Sequence, residues 1–215
     1  MRRRKDEADA PDVGEEAPAA EAAHEVRANG PWDSTEKDVG DDPAYLDFGS
    51  LIIRGRPGFN LQMPADDDEG SIGSVVLVTE ESGLELRAFA DARSGGLWDD
   101  VRADLVTEAE RLEGTAESVD GPFGTELRIE VPVTLPDGEA GFQPTRIVGI
   151  EGPRWMLRAT FLGKEALEPT DDSLLMQALR DVIVVRGDDP RAPRDALLLT
   201  IGEGLDVIET TGELP

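Results

Sequence analysis

The chain has 215 residues, 23 glycines, 15 prolines, no cysteine, 39% hydrophobic residues and a formal net charge of −26 at pH 7. Those numbers rule out a disulfide framework and a thiolate metal site, and they fit one domain with flexible flanks. The acidity belongs to residues 45–215 (15 basic, 34 acidic) as well as to residues 1–44 (6 basic, 13 acidic), and a field of that sign argues against direct binding of nucleic acid or anionic lipid.

Residues 1–44 are rich in Ala, Glu, Asp and Pro and poor in large apolar side chains, the composition of a disordered acidic tail. The basic start Met1-Arg-Arg-Arg-Lys5 runs into Asp6, Glu7 and Asp9 rather than an apolar region. No apolar run approaches the ~18 residues of a membrane span either, so the expectation is a cytoplasmic protein with no membrane contact. Within the tail, Trp32 of Gly30-Pro-Trp-Asp33 has no structural reason to be solvated. It either docks on the chain's own core or serves as a short partner-binding motif, and self-docking is the favoured reading.

A single α+β domain is expected over residues 45–202, followed by a frayed terminus at 203–215. Short strands are predicted at Phe48–Ile53 and Phe59–Met63. The acidic run Asp66-Asp-Asp-Glu-Gly70 invites a calcium loop, but an EF-hand register with Gly70 at position 6 puts Ala65 at position 1 and Val76 at position 12, so the motif fails. Val75–Thr79 and Leu84–Ala90 make a hairpin. Leu97, Val101, Leu105, Ala109 and Leu112 recur at helical spacing and predict a helix over Leu97–Glu113 with Gly114 as its stop. Asp99 and Asp100 in its first turn oppose an anion there. Trp98 falls off the apolar stripe, which leaves edge packing or a partner anchor, with packing favoured.

Thr115–Val119 and Thr125–Thr134 form the next hairpin, with Leu127, Ile129, Val131 and Val133 inward and Glu126, Arg128 and Glu130 on the other face. After a loop, Leu135–Pro144, comes a central hairpin: Ile147–Ile150, the turn Glu151-Gly-Pro153, and Arg154–Leu162. Trp155, Leu157, Ala159 and Phe161 share the core face of its second strand; Arg154, Met156, Arg158 and Thr160 share the opposite one. Those two arginines either pair with acids on neighbouring strands or hold an anionic ligand, and pairing is favoured. A second helix over Ser173–Asp181, a strand at Val182–Val185 and a last strand at Ala196–Ile201 complete the expectation: a largely antiparallel sheet of hairpins with two helices packed on it.

Gly30-Pro-Trp-Asp33, Phe89-Ala90, Gly96-Leu-Trp98, Gly121-Pro-Phe-Gly-Thr-Glu-Leu127, Gly152-Pro-Arg-Trp-Met-Leu-Arg158 and Val184-Val-Arg-Gly187 together resemble an uncharacterised family of actinobacterial proteins, a domain of unknown function. The likeness covers roughly residues 28–202. It implies an intracellular protein and no particular activity. The order of elements is also similar to that of Mog1 and PsbP proteins, a fold-level analogy.

The chemistry that remains is narrow. The one histidine, His24, lies in the tail; Lys164 is the one lysine of the predicted domain and reads as a surface residue; no phosphate-cradling glycine motif is present. No cofactor, metal or catalytic residue is expected. The favoured function is a non-enzymatic binding or adaptor domain for a protein or an anionic small molecule, through Arg154 and Arg158, with Arg128, Arg186, Trp98 and Trp32 as further candidates. The alternative is an enzyme using carboxylates and arginine on an anionic small molecule, which requires Arg154, Arg158 and at least two acids in one deep pocket.

Overall fold

A computed structural model of the chain describes residues 26–64, 71–135 and 138–200. The strands are β1 (Trp32–Asp33), β2 (Tyr45–Asp47), β3 (Leu51–Arg54), β4 (Asn60–Gln62), β5 (Val75–Val78), β6 (Ser82–Ala90), β7 (Thr115–Gly121), β8 (Gly124–Thr134), β9 (Ala140–Gly152), β10 (Trp155–Gly163) and β11 (Ile183–Val184). The helices are α1 (Leu97–Arg111), α2 (Lys164–Leu167) and α3 (Leu174–Asp181). An antiparallel sheet runs β4-β5-β6-β10-β9-β8-β7, and a smaller sheet runs β1-β11-β3-β2 with only β1 and β11 parallel. The fold is α+β and largely antiparallel.

The large sheet buries both of its faces. On one, Leu84, Leu86 and Ala88 of β6, Leu157, Ala159 and Phe161 of β10 and Val148 and Ile150 of β9 pack against Leu51 and Ile53 of the small sheet and against Leu175, Met176 and Leu179 of α3. On the other, Leu127 and Ile129 of β8, Ile147 of β9 and Met156 of β10 pack against Leu97, Trp98 and Ala109 of α1. In β10 and over Arg146–Ile150 of β9, alternation therefore assigns successive residues to two different cores, whereas Arg128 and Glu130 of β8, opposite Leu127 and Ile129, remain exposed.

That double burial separates the acids of β8 from the arginine of β10. The inward residues of β8 and the inward residues of β10 lie on opposite faces of the same sheet, and β9 separates the two strands. Glu126, Arg128 and Glu130 consequently do not meet Arg154 or Arg158. Instead Arg146 of β9 grips Glu126 through two hydrogen bonds, Nε to Oε1 at 2.9 Å and Nη2 to Oε2 at 2.7 Å, with both side chains sealed from solvent.

Several boundaries also differ. Residues 135–144 are not all loop: β9 begins at Ala140 and pairs with β8 from Thr134 inward, so the hairpin is longer than proline at 144 led one to expect. Residues 196–200 form no strand beyond a bridge from Ala196 to Phe89, because their groups are divided among partners: Leu197 N donates to Ala88 O, Leu199 N to Ile72 O and Thr200 N to Phe48 O. At the end of α1 the left-handed position falls on Glu113 (φ 59°), while Gly114 is there because a Cβ would stand 2.4 Å from Glu130 O. Of the tail read over residues 1–44, 26–44 are described, with Arg27, Gly30, Pro31 and Asp33 buried and Trp32 and Asp33 in β1, whereas 1–25, like the acidic run 66–70 and residues 203–215, lie outside the described residues.

Candidate anion-binding site

The β9–β10 hairpin closes on Pro153 and Arg154, since Gly152 and Trp155 are already paired. Proline first and a positive φ second is the pattern of a type II turn, which ordinarily places glycine or asparagine where Arg154 (φ 63°) stands. The turn aims Arg154 away from the sheet face on which strict alternation would have put it. Its carbonyl oxygen accepts from Asp91 N at 2.9 Å and from Arg186 Nε at 3.0 Å, and its own Nη2 donates to Gly187 O at 3.2 Å.

Arg186 leaves the small sheet just after β11, where Val185 N donates to Ser50 O at 2.9 Å. The Arg186 side chain is 8% exposed and donates also to Asp189 O at 3.2 Å. Burial lowers its ionisation from the ordinary guanidinium value, the like charges of Arg154 and Arg191 lower it further, and only the charge of Asp189 acts the other way. Among the described residues, no carboxylate makes an ion pair with Arg154, Arg186 or Arg191. A cavity of about 200 Å³ opens beside them, walled by Gly49, Ser50, Val185, Arg186, Arg191 and Leu198 among others. Ser50 fixes one wall, its Oγ lying 2.8 Å from Leu197 O and 3.0 Å from Leu198 O.

The other sequence candidates are elsewhere. Arg158, on the α1 side of β10, stands 3.9 Å from Glu85 and over the ring of Phe89. Arg128 lies 3.9 Å from Glu126. Trp98 is buried in the first turn of α1, donates Nε1 to Thr125 O at 2.7 Å, and covers Gly149, where any Cβ would come within 2.0 Å of the indole. Trp32 is half-buried in β1 under the Lys37 ammonium; Lys37, Arg54 and Arg56 all converge on Asp181. The structure thus unites Arg154 with Arg186 and separates both from Arg158, Arg128 and the two tryptophans.

A larger cavity of about 650 Å³ lies between the β5–β6 turn and α2, walled by Glu80, Glu81, Glu165 and Glu168, with Lys164 3.2 Å from Glu81. Among the described residues, no three His, Asp or Glu side chains are placed to hold a metal ion. No helix there is long and apolar enough to cross a membrane.

A family model described as "Protein of unknown function (DUF3710)" matches residues 30–206. The chain belongs to that family. The match takes in every motif on which the family resemblance was read, from Gly30-Pro-Trp-Asp33 to Val184-Val-Arg-Gly187. No curated protein matches. Among solved structures the chain is similar to the solution structure of cyanobacterial PsbP (CyanoP) from Synechocystis sp. PCC 6803, at 13% identity and a TM-score of 0.37, over 69% of this chain and 97% of that one. At that score the likeness carries no argument about this DUF3710 member.

Within this family member, sequence reasoning missed Arg191, Ser50 and the Arg146–Glu126 pair. Arg191 sits in an acidic, proline-broken loop, where no periodicity links it to Arg186. Arg146 directly precedes an apolar run, a position that reads as a strand boundary until β8 is known to lie beside β9.

Proposed function

We propose that the chain is a cytoplasmic, non-enzymatic binding domain that recognises an anionic group, presented by a partner protein or a small molecule, at Arg186 and Arg191 with Arg154 on the rim. The observation that carries the reading is the set of three guanidinium groups that, among the described residues, make no ion pair with a carboxylate, in a chain whose acids outnumber its basic residues 47 to 21. Acids are abundant enough to neutralise any surface arginine, so a buried one left to repel two others is an arrangement that a bound anion would relieve. The planar fork of each guanidinium suits a carboxylate or phosphate in two-point contact. The surrounding negative field would repel anions that cannot make that local contact, which favours selectivity over raw affinity.

The alternative, an enzyme of carboxylates and arginine, finds less support, because Arg154 and Arg158 lie in different environments and the cavity wall includes one acid, Asp189. Titration calorimetry of the full chain with inorganic phosphate, citrate and an acidic peptide tests the proposal. Arg191 is exposed and makes no hydrogen bond or ion pair among the described residues, so Arg191→Ala should keep the fold and weaken binding about tenfold, the worth of one charge-assisted hydrogen bond. Equal affinity in wild type and Arg191→Ala, or no binding of any of the three anions, would sink it.

A further inference from the structure

We infer that the arginine pocket is a docking site for the chain's own residues 201–215, so that an external anion binds by displacing an acidic segment held in cis. The inference rests on the pocket reading above and adds its occupant.

Three observations point to it. The described chain reaches the pocket just before it leaves the described residues: Leu197 and Leu198 form part of the wall, and Thr200 N donates to Phe48 O at 2.9 Å. Thr200 also lies against Gly49, another wall residue, where an added Cβ would stand 2.6 Å from Thr200 Oγ1. The next fifteen residues, Ile-Gly-Glu-Gly-Leu-Asp-Val-Ile-Glu-Thr-Thr-Gly-Glu-Leu-Pro, hold Glu203, Asp206, Glu209 and Glu213 and no basic residue. They interleave these acids with Leu205, Val207 and Ile208. The pocket offers the complement of both properties, with Arg186 and Arg191 on one side and an exposed leucine, Leu198 (47%), on the other.

Reach is not limiting. Glu203 is three residues beyond Thr200, and three extended residues span about 10 Å. A short tether of this kind supplies an effective concentration in the millimolar range, enough to compete with a free anion that binds only through one or two guanidinium contacts. The cis segment would raise the concentration of free anion needed to fill the site, and a partner carrying a stronger acidic motif would take its place.

The test keeps the full chain. One variant neutralises the segment (Glu203→Gln, Asp206→Asn, Glu209→Gln, Glu213→Gln), and a charge-matched control neutralises Glu15, Glu16, Glu21 and Glu25 to Gln. Inorganic phosphate is titrated into wild type and both variants. Because the chain has no cysteine, Thr210→Cys accepts a single nitroxide label, whose broadening of the amide signals of Gly49, Ser50, Gly187 and Leu198 reports proximity with and without Arg191→Glu. The expected result is phosphate affinity several-fold tighter in the segment variant than in wild type and control, with broadening at the pocket that Arg191→Glu removes. Equal phosphate affinity in all three chains without broadening would overturn the inference and leave the pocket reading standing. No phosphate binding by any of them would remove the pocket reading, and this inference with it.

Discussion

Asp91 is 7% exposed at the end of β6, with one carboxylate oxygen accepting from Ala92 N at 2.6 Å and the other, Oδ2, without a hydrogen-bond partner. Burial pushes its carboxyl above the ordinary value, and the nearby charges of Glu151 and Asp100 add to the shift; the amides of Ala92 and Leu97 pull in the other direction. A carboxyl raised in the folded state keeps its proton after the unfolded chain has lost it. Stability therefore falls as pH climbs from the unfolded carboxylate value through the folded one. Asp91→Asn removes the ionisation and retains an acceptor for Ala92. Its melting temperature should exceed that of wild type at pH 7, with the gap closing as the pH is lowered towards 4. A variant less stable than wild type at pH 7 would mean that the charged form is held by its surroundings after all. Arg154 illustrates why side-chain placement was harder to read than strand placement. A period of two assigned it to the Arg158 face, but that period holds only inside the ladder, and the residue before Trp155 belongs to the turn.

Among elements, α1 and the hairpins were legible because their signals are local. Apolar spacing located α1 to within two residues at its end, and turn chemistry located β5–β6, β7–β8 and β9–β10. What caps α1 was not local: Glu151 of β9 accepts from Gly96 N and Trp98 N, each at 2.9 Å, across more than fifty residues of sequence. The two-residue β1 was likewise invisible to composition, since its neighbours look like tail. Its value lies in contacts with distant partners: Trp32 N donates to Val182 O at 2.9 Å, and Asp33 Oδ2 accepts from the buried indole of Trp155 at 2.7 Å. Arg27, tied to Glu36, covers the same indole from 5.5 Å. Asp33→Ala would strand the Trp155 N–H in the core, a loss of about 1–3 kcal/mol in urea unfolding. A change under ~0.5 kcal/mol, the range of ordinary surface substitutions, would show that β1 rests on the sheet without bracing it.

For the molecule as a whole, the fold class was readable and the layer arrangement was not. Hairpin order predicts an antiparallel sheet; nothing in one strand says that its polar-looking face is a second core, because α1 that covers it is distant in sequence from β10. The candidate site suffered for the same reason, being assembled from the ends of β10 and β11, the start of β3 and a loop. The net charge acts at this scale too. Exposed pairs such as Arg111–Glu108 and Arg102–Asp99 add little to stability and weaken with salt. The chain as a whole carries an unbalanced charge of −26, and raising sodium chloride from roughly 0.1 M to 1 M shortens the screening length from about 10 Å to 3 Å. The melting temperature should rise across that range. A fall would mean that the ion pairs outweigh the general repulsion.

The parallel pairing of Trp32 with Ile183 also sets a schedule for biosynthesis. A ribosome adding about 5–20 residues per second needs roughly 8–30 s to pass from one residue of that pair to the other. During that interval Gly30-Pro-Trp-Asp33 has left the exit tunnel with its parallel partner strand unmade, while the hairpins of the large sheet can close as they emerge. Trp155 emerges after Asp33, the acceptor of its ring nitrogen, but before the strand that holds Asp33 in place. The segment that looks most like a loose leader is thus made long before the strand it pairs with, and β1 is among the last elements that can be seated.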